Sequence, residues 1–214
     1  MRYRGRVMFQ PSLLGGGGQV RPGPLGDTVR RLPLGVGAWL DLRPGWMLGA
    51  DALFDRLHRV VPWRAQRRQM YDRVVDVPRL LAFYGVGAAL PDPALEAARA
   101  SLDARYGAEP GGPLATAGLC LYRDGRDSVA WHGDRVGRGA TADTTVAIVS
   151  LGAPRTLALR RRGGGGRPLR FEVGHGDLLV MGGSCQRTFD HAVPRTARPC
   201  GPRISVQFRP VGVR

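Results

Sequence analysis

From about residue 114 to the C-terminus, short apolar and β-branched runs alternate with glycine-rich turns. Examples are TTVAIVSLG (144–152) and HGDLLVMGG (175–183), while LALRRRGGGGRPLRFEV (157–173) has the pattern of two strands joined by a glycine turn. Many short strands separated by turn signals are typical of a β-sandwich or barrel. The sequence therefore predicts a mainly β fold with helices packed outside the strands.

Two segments upstream of these strands have the pattern of helices. The segment 49–63 places five apolar side chains on one helical face: Leu53, Phe54, Leu57, Val60 and Val61. The segment 91–107, PDPALEAARASLDARYG, has a proline at its start, helix-forming residues in its middle and a glycine at its end. These are start and stop signals of helices, so we expect both segments to flank the strands as helices.

The domain organisation follows from length and composition. A chain of 214 residues is long enough for one large domain with a buried core. Residues 1–50 carry Gly, Pro and Arg with weak periodicity, so we interpret them as an N-terminal extension, partly loop, before one domain at 51–214. The glycine runs 15–18 and 163–166 lack the Lys and Ser/Thr of a phosphate-binding loop, and we interpret the second run as a hairpin tip.

The remaining composition excludes several classes of protein. Apolar residues make up 43% of the chain and charged residues 23%, which is typical of a folded protein. No apolar stretch approaches the roughly 20 residues of a membrane-spanning helix, and the N-terminus lacks the apolar core of a secretory signal. We expect a cytoplasmic monomer. Cys120, Cys185 and Cys200 form no C-x-x-C pair, which predicts reduced thiols and no thiolate zinc site.

The net charge of +15 and the pI near 11.4 indicate a polyanionic partner. A strong positive field attracts nucleic acid and speeds its capture. Every basic residue is arginine in a chain rich in Gly, Ala and Pro, so biased codon usage is an alternative source of part of this excess. Nucleic acid is the partner that the charge favours.

The segment RISVQFR (203–209) has two chemically different faces. Apolar residues alternate with four polar ones, Arg203, Ser205, Gln207 and Arg209. The polar face either meets solvent or faces a cavity in which arginines bind a carboxylate. The strand rise of about 3.4 Å per residue places the Cα atoms of the two arginines roughly 20 Å apart. Both could therefore serve one small ligand only if their side chains lean together.

Three residues have the chemistry of a metal site. His132 and Asp134 form a His-x-Asp pair, and His191 lies further along the chain. Two imidazoles and one carboxylate on one face of a metal leave other positions open, as in non-haem Fe(II) oxygenases. His58 and His175 lack comparable partners, and we interpret both as structural.

At these residues the sequence resembles the AlkB family of Fe(II)- and 2-oxoglutarate-dependent dioxygenases. The matching stretches run in the family's order over about residues 62–210: VPRLLAFYG (77–85), LYRDGRDSVAWHGD (121–134), IVSLGAPRTLALR (148–160), GDLLVMGG (176–183), FDHAVP (189–194) and PRISVQFR (202–209). The resemblance implies a double-stranded β-helix, or jelly-roll, whose N-terminal extension helps to form a nucleotide-binding surface.

The resemblance also implies roles for individual residues. His132, Asp134 and His191 would be the catalytic residues that bind Fe(II), and O₂ would occupy an open position on the metal. Tyr122, Arg203 and Arg209 would hold the co-substrate 2-oxoglutarate. The same site contains Cys120 and Ser205 at two positions where the family often has asparagine, which predicts weaker hydrogen bonding around the co-substrate.

The activity that this resemblance implies is oxidative demethylation of N-alkylated bases such as 1-methyladenine and 3-methylcytosine in DNA or RNA, as in alkylation repair. Formaldehyde and succinate are the products. The target base must be flipped out of a duplex or lie in a single strand to reach the iron.

Four residues are candidates for contact with the base or for shaping its pocket: Phe83, Tyr84, Trp131 and Arg135. For the three aromatic residues, packing in the core is the alternative that we favour. Arg135 stands where many members of the family have an acidic residue. One alternative is an oxygenase of the same chemistry that acts on a protein or a small metabolite. Another is a basic nucleic-acid-binding domain without catalysis.

Overall fold

The computed structural model describes residues 19–70, 73–134, 137–164 and 166–213. Within these residues, a larger sheet has eight strands and a smaller sheet has four. In spatial order, the larger sheet contains β2 (Arg30–Gly35), β3 (Ala38–Arg43), β12 (Asp177–Gly183), β9 (Val146–Gly152), β14 (Arg203–Pro210), β7 (Leu114–Tyr122), β6 (Arg73–Tyr84) and β5 (Arg64–Met70). The smaller sheet contains β11 (Leu169–Val173), β10 (Arg155–Arg161), β13 (Phe189–Val193) and β8 (Val129–His132). The short strands β1 (Arg21–Pro22) and β4 (Met47–Leu48) pair with each other.

The larger sheet separates two hydrophobic cores. Because successive side chains of a strand point to opposite faces, the apolar residues Ile204, Val206 and Phe208 of β14 all enter one core, which the helices cover. The second core lies between the two sheets and joins residues of both, such as Ile148 and Leu159. The predicted mainly β fold with flanking helices and a jelly-roll core is confirmed.

Both predicted helices are present, as α1 (Ala50–Val60) and α2 (Pro93–Tyr106). In α1, Leu53 and Leu57 are fully buried against the larger sheet. The prediction for Val60 is wrong, since its side chain is 59% exposed. Val60 is the last residue of the helix, and the extended Val61 after it takes the buried position instead.

The start of α2 is stabilised by an aspartate cap and by the predicted proline. The Asp92 carboxylate accepts a hydrogen bond from the backbone N–H of Ala94 at 2.9 Å, and Pro93 occupies the first helical position. Arg56 of α1 bonds the same carboxylate with an Nε–Oδ2 distance of 2.6 Å. This contact fastens the two helices to each other on the outer side of the larger sheet.

The glycine-rich segment after β10 is a hairpin tip, as predicted. Strands β10 and β11 pair antiparallel, and Leu159 opposite Leu169 is the pair nearest the tip. The smallest elements are a helical turn, α3 (Cys185–Thr188), and a 3₁₀ turn (Arg138–Ala140). No helix in the described ranges is long and apolar enough to cross a bilayer.

The larger sheet extends to the N-terminal side of the boundary predicted at residue 50. Strand β3 pairs antiparallel with β12, and β2 pairs with β3 at the edge of the sheet. Leu40 of β3 is fully buried in the core between the sheets. Two strands of the predicted extension, β2 and β3, are therefore part of the sheet. Residues 1–18, including the first glycine run, lie outside the described residues.

Candidate active site

The polar face of β14 faces a cavity between the two sheets. Arg203, Ser205, Gln207 and Arg209 all line this cavity, together with residues of β7, β8 and β13. Arg203, Ser205 and Gln207 are buried, so the strand does not present this face to solvent. Of the two interpretations of the alternating pattern, the cavity-facing one is correct.

The three predicted metal-binding residues meet at one end of this cavity. Strands β8 and β13 pair so that His132 lies directly opposite His191, and the two ring centroids are 4.2 Å apart. Asp134 follows β8 and completes the cluster. One ligand atom from each of the three residues lies within 4.8 Å of the others, which is close enough to hold one metal ion.

The orientation of His132 suits metal binding. Its Nδ1 lies 2.8 Å from the carbonyl oxygen of Ala130. A carbonyl oxygen only accepts hydrogen bonds, so Nδ1 carries a proton, and in the neutral form of the ring the lone pair lies on Nε2. That Nε2 lies 3.9 Å from Oδ1 of Asp134. The free lone pair is thus directed toward the carboxylate and the space that a metal would occupy.

Asp134 is kept ionised by its neighbours. Its Oδ2 accepts a hydrogen bond from Nε of Arg209 at 2.6 Å, and its backbone N–H donates to Oε1 of Gln186 at 3.0 Å. Burial raises the pKa of the Asp134 carboxyl, but the charge of Arg209 and its hydrogen bond outweigh burial and bring the pKa to about 2. The carboxylate is therefore a negatively charged ligand at any physiological pH.

His191 is kept neutral by the same surroundings. Burial lowers the pKa of His191 to about 3, and the neighbouring His132 acts in the same direction. Metal binding requires an unprotonated imidazole. Near neutral pH the His191 ring therefore offers a lone pair without first losing a proton.

The other end of the cavity carries positive charge. Arg203 donates from Nε to Oγ of Ser150 at 2.9 Å, and its Nη1 is buried without a hydrogen-bond partner. Its guanidinium carbon lies 5.3 Å from the centroid of the Tyr122 ring. Burial raises the pKa of Tyr122 to about 12, so its phenol remains a hydrogen-bond donor. An anionic ligand would satisfy the free guanidinium nitrogen.

Gln207 occupies the middle of the cavity and joins the two residues that replace the family's asparagines. Its Nε2 donates to Oγ of Ser205 at 2.7 Å, and Sγ of Cys120 donates to its Oε1 at 3.7 Å. Both residues are thus bonded to the same side chain within the protein. That they weaken the hydrogen bonding around the co-substrate stays a prediction.

Two of the four predicted base-contacting residues, Phe83 and Tyr84, lie next to each other on β6 but on opposite faces of the sheet. Phe83 pairs with Gly118, which pairs with Gln207, so Phe83 shares the cavity face and is 57% exposed. Tyr84 packs against the helix-side core instead. Of the two interpretations of Tyr84, core packing is the correct one, because the strand's alternation turns its ring away from the cavity.

Trp131 also lies away from the cavity. The side chain next to it, His132, faces the metal-binding cluster, so Trp131 takes the outer face of the smaller sheet. There the guanidinium carbon of Arg160 stacks at 4.6 Å from the Trp131 ring centroid. This position corrects the expectation that Trp131 shapes the pocket, and the prediction for Arg135 lies outside the described residues.

Two arginines near Tyr122 were not predicted from the sequence. Arg79 of β6 lines the cavity and donates from Nη1 to the carbonyl oxygen of Ser128 at 3.2 Å. Arg155 is 4% exposed, and its guanidinium carbon lies 5.5 Å from the Tyr122 ring centroid. Its nitrogens bond three backbone carbonyls at 2.8–3.0 Å: Asp124, Asp127 and Pro194. No local sequence signal distinguishes these two arginines from the others.

The remaining histidines and cysteines have structural surroundings. His58 stacks on Phe54 with a centroid distance of 5.7 Å. His175 accepts a hydrogen bond at Nδ1 from the backbone N–H of Gly152 at 2.8 Å. All three cysteines are free thiols, as predicted.

The sequence matches the model of the 2OG-Fe(II) oxygenase superfamily over residues 86–209, more than half of the chain. Among curated proteins it is 29% identical over 180 residues to the alpha-ketoglutarate-dependent dioxygenase alkB homolog 3 of Bos taurus, covering 76% of this chain and 62% of that protein. It is 32% identical over 131 residues to the DNA oxidative demethylase ALKBH2 of Arabidopsis thaliana, covering 50% of this chain and 41% of that protein. The chain thus spans less than two thirds of the length of these relatives.

The fold is similar to that of a solved structure from the same superfamily. A 2OG-Fe(II) oxygenase family oxidoreductase from Burkholderia pseudomallei superposes with a TM-score of 0.55 at 15% sequence identity. The superposition covers 79% of this chain and 84% of that chain. At this identity the likeness concerns the fold alone, and it agrees with the predicted jelly-roll.

Proposed function

This chain belongs to the 2OG-Fe(II) oxygenase superfamily and is AlkB-like, and on that premise we propose that it demethylates N-alkylated nucleobases of the 1-methyladenine and 3-methylcytosine type. Enzymes of this superfamily use Fe(II), 2-oxoglutarate and O₂. One observation carries the proposal: a His-Asp-His cluster and buried arginines line a single cavity. The first set suits the metal and the second suits the co-substrate.

The donor set of the cluster fits Fe(II). His132, Asp134 and His191 would bind the metal as two neutral imidazoles and one carboxylate, and the positions left open would admit two further ligands. When bound, the iron with 2-oxoglutarate and O₂ supplies the oxidation that hydroxylates an N-methyl group, while 2-oxoglutarate becomes succinate and CO₂. The hydroxymethylated base then releases formaldehyde and the unmodified base remains.

The residues of this chain orient the reactants. Arg209 fixes the Asp134 carboxylate through the 2.6 Å hydrogen bond, which holds the second carboxylate oxygen in place. We assign Tyr122 and the free Nη1 of Arg203 to the co-substrate, because a carboxylate would satisfy both donors. Ser205 and Gln207 would form the polar wall between the two arginines.

Nucleic acid is the substrate class that the charge favours. The net charge is +15, and the AlkB relatives include a protein named as a DNA oxidative demethylase. A base inside a duplex has to leave the stack before it can enter such a cavity. Phe83, which is exposed on the cavity face of the edge strands, is the described aromatic residue that we assign to contact with the base.

The proposal is tested by measuring both products at once. Purified protein receives Fe(II), ascorbate, 2-oxoglutarate and a single-stranded oligonucleotide that contains 1-methyladenine or 3-methylcytosine. We expect formaldehyde and succinate in equal amounts, no turnover in Asp134→Ala, and unchanged turnover in Asp55→Ala, whose side chain is exposed on α1. The same sequence is tested as a DNA and as an RNA oligonucleotide, and the turnover of the two is compared.

Other outcomes of this experiment separate the alternative functions. Succinate without formaldehyde would indicate an oxygenase that acts on a protein or a metabolite. If iron-loaded wild-type protein releases neither product but binds the oligonucleotide as tightly as Asp134→Ala does, the chain is a binding domain without this activity. A steep loss of oligonucleotide affinity with salt is expected only for a polyanionic partner.

A further inference from the structure

We propose that Arg79 of β6 is a third arginine of the co-substrate site and binds the distal carboxylate of 2-oxoglutarate together with Arg203. The inference deepens the proposed function and rests on it. It concerns a residue on the β5–β6 edge of the larger sheet, outside the strand that carries Arg203 and Arg209.

Arg79 and Arg203 each have one guanidinium nitrogen bonded to the protein and one buried nitrogen without a partner. Each uses one nitrogen to bond the protein: Nη1 of Arg79 donates to the Ser128 carbonyl, and Nε of Arg203 donates to Ser150. Each has a second nitrogen that is buried without a partner, Nε in Arg79 and Nη1 in Arg203. A buried guanidinium N–H without an acceptor is unfavourable, so both side chains are suited to a ligand that supplies acceptors.

The two arginines converge on one end of the cavity. Both line it, and both lie close enough to Tyr122 for their charges to act on its phenol. Arg203 and Tyr122 are direct partners across the paired strands β14 and β7. Leu80 of β6 pairs with Leu121, the residue before Tyr122, so Arg79 and Tyr122 occupy neighbouring positions on the cavity side of β6 and β7.

The positive charge at the Tyr122 end of the cavity favours an anionic ligand. Arg209, at the other end, forms a 2.6 Å ion pair with Asp134, so its charge is already matched. Among the described ion pairs, none joins Arg79 or Arg203 to a carboxylate. Two unmatched guanidiniums and a phenol O–H therefore surround one small space, and a carboxylate accepts hydrogen bonds from several such donors at once.

The test compares two ligands in three proteins. Isothermal titration calorimetry under anaerobic conditions measures the binding of 2-oxoglutarate and of 2-oxobutanoate, which lacks the distal carboxylate, to Ni(II)-loaded wild type, Arg79→Met and Arg67→Met. Arg67 is the matched control, because it lies on the same hairpin and its side chain is 72% exposed. Arg79→Lys is a second variant that keeps one positive charge.

We expect Arg79→Met to bind 2-oxoglutarate about tenfold or more weakly, which is the loss for one charge-assisted hydrogen bond. Its affinity for 2-oxobutanoate should stay close to that of the wild type, so the preference for 2-oxoglutarate falls. Arg79→Lys should give an intermediate loss, and Arg67→Met none.

Two results would overturn the inference. One is an unchanged affinity of Arg79→Met for 2-oxoglutarate. The other is an equal loss for both ligands, which would indicate a general disturbance of the site. If wild type itself binds no 2-oxoglutarate, the proposed function fails first, and that result is distinguishable from a failure of Arg79 alone.

Discussion

The arginines of the cavity and those of the surface differ in what their guanidinium groups contact. Arg203 is 3% exposed and directs a free nitrogen into the cavity, and Arg209 fixes the Asp134 carboxylate. On the surface, the side chains of Arg67 and Arg126 are 72% and 89% exposed, and each pairs with one aspartate. Exposed pairs of this kind contribute little to stability. The same residue type thus builds a site when it is buried and supplies long-range charge when it is exposed.

Among the arginines of the cavity and of the surface, we expect the substitution of Arg203 to have the largest effect on co-substrate binding. Arg203→Met should weaken the binding of 2-oxoglutarate by about 100-fold or more, because the charge-assisted hydrogen bond from the free Nη1 and the buried positive charge are both lost. The measurement is calorimetric titration of Mn(II)-loaded protein under anaerobic conditions. Arg126→Met is the surface control and should bind like the wild type. Equal affinities in both variants would remove the distinction between cavity and surface.

Buried and exposed arginines should also differ in how much they stabilise the fold, and Arg155 is the buried residue to change. Arg155→Met leaves three backbone carbonyls in the two loops beside the metal-binding strands without their donor. We expect the free energy of unfolding to fall by about 3 kcal/mol, a typical cost for unsatisfied buried polar groups. Urea denaturation measures this change, and Arg126→Met, whose side chain is 89% exposed, should unfold at the same urea concentration as the wild type. A loss below that of the control would mean that the loops hold their positions without Arg155.

Gly118 tests how closely Arg209 is packed. A Cβ at this position would lie 3.0 Å from Nη1 of Arg209 and 3.3 Å from Oε1 of Gln207. Gly118→Ala should displace Arg209 from Asp134 and reduce Fe(II)-dependent turnover about threefold to tenfold, the effect of weakening one positioning contact. Gly26→Ala is the control, since its Cβ would meet nothing within 4 Å. Unchanged turnover in Gly118→Ala would show that Arg209 can shift without consequence.

The smallest expected effect is a pH dependence that arises outside the arginine groups, at His175. Burial lowers the pKa of His175, although Asp51 and Asp177 act in the opposite direction. The unfolded chain takes up this proton near pH 6.5 and the folded chain only at lower pH. The stability contributed by the neutral ring is therefore complete above about pH 6.5 and decreases as the pH falls below it.

Thermal unfolding of wild type and His175→Gln at about pH 8 and about pH 5.5 measures this effect. The advantage of the wild type over the variant should shrink at the lower pH. An advantage of the same size at both values would contradict the assignment of a neutral ring that accepts the Gly152 hydrogen bond.

Much of the fold was predictable because its signals are local. The strands after residue 114 are indicated by β-branched runs between turns, and α2 is indicated by its starting proline, its helix-forming residues and its closing glycine. The alternation in β14 separates two faces but does not say which one meets solvent, because a cavity-facing strand and an exposed strand have the same pattern. Only the position of β14 between β9 and β7 decides it.

The candidate site was predictable in part for a similar reason. The His-Asp-His cluster and the arginines of β14 come from an ordered resemblance to a family. The sequence does not distinguish Arg79 and Arg155 from its many other arginines. The burial of each side chain is determined by neighbours that are distant in sequence. Tyr84 and Trp131 lie on the side away from the cavity, because each is adjacent in sequence to a residue of the cavity face and side chains alternate along a strand.

We expect one cavity to hold both the metal and the co-substrate. The most direct test is an anaerobic absorption titration of Fe(II)-loaded protein with 2-oxoglutarate. We predict a new charge-transfer band that saturates at one 2-oxoglutarate per chain and is absent in Asp134→Ala. Iron-loaded wild type that shows neither the band nor any binding of 2-oxoglutarate would contradict the claim.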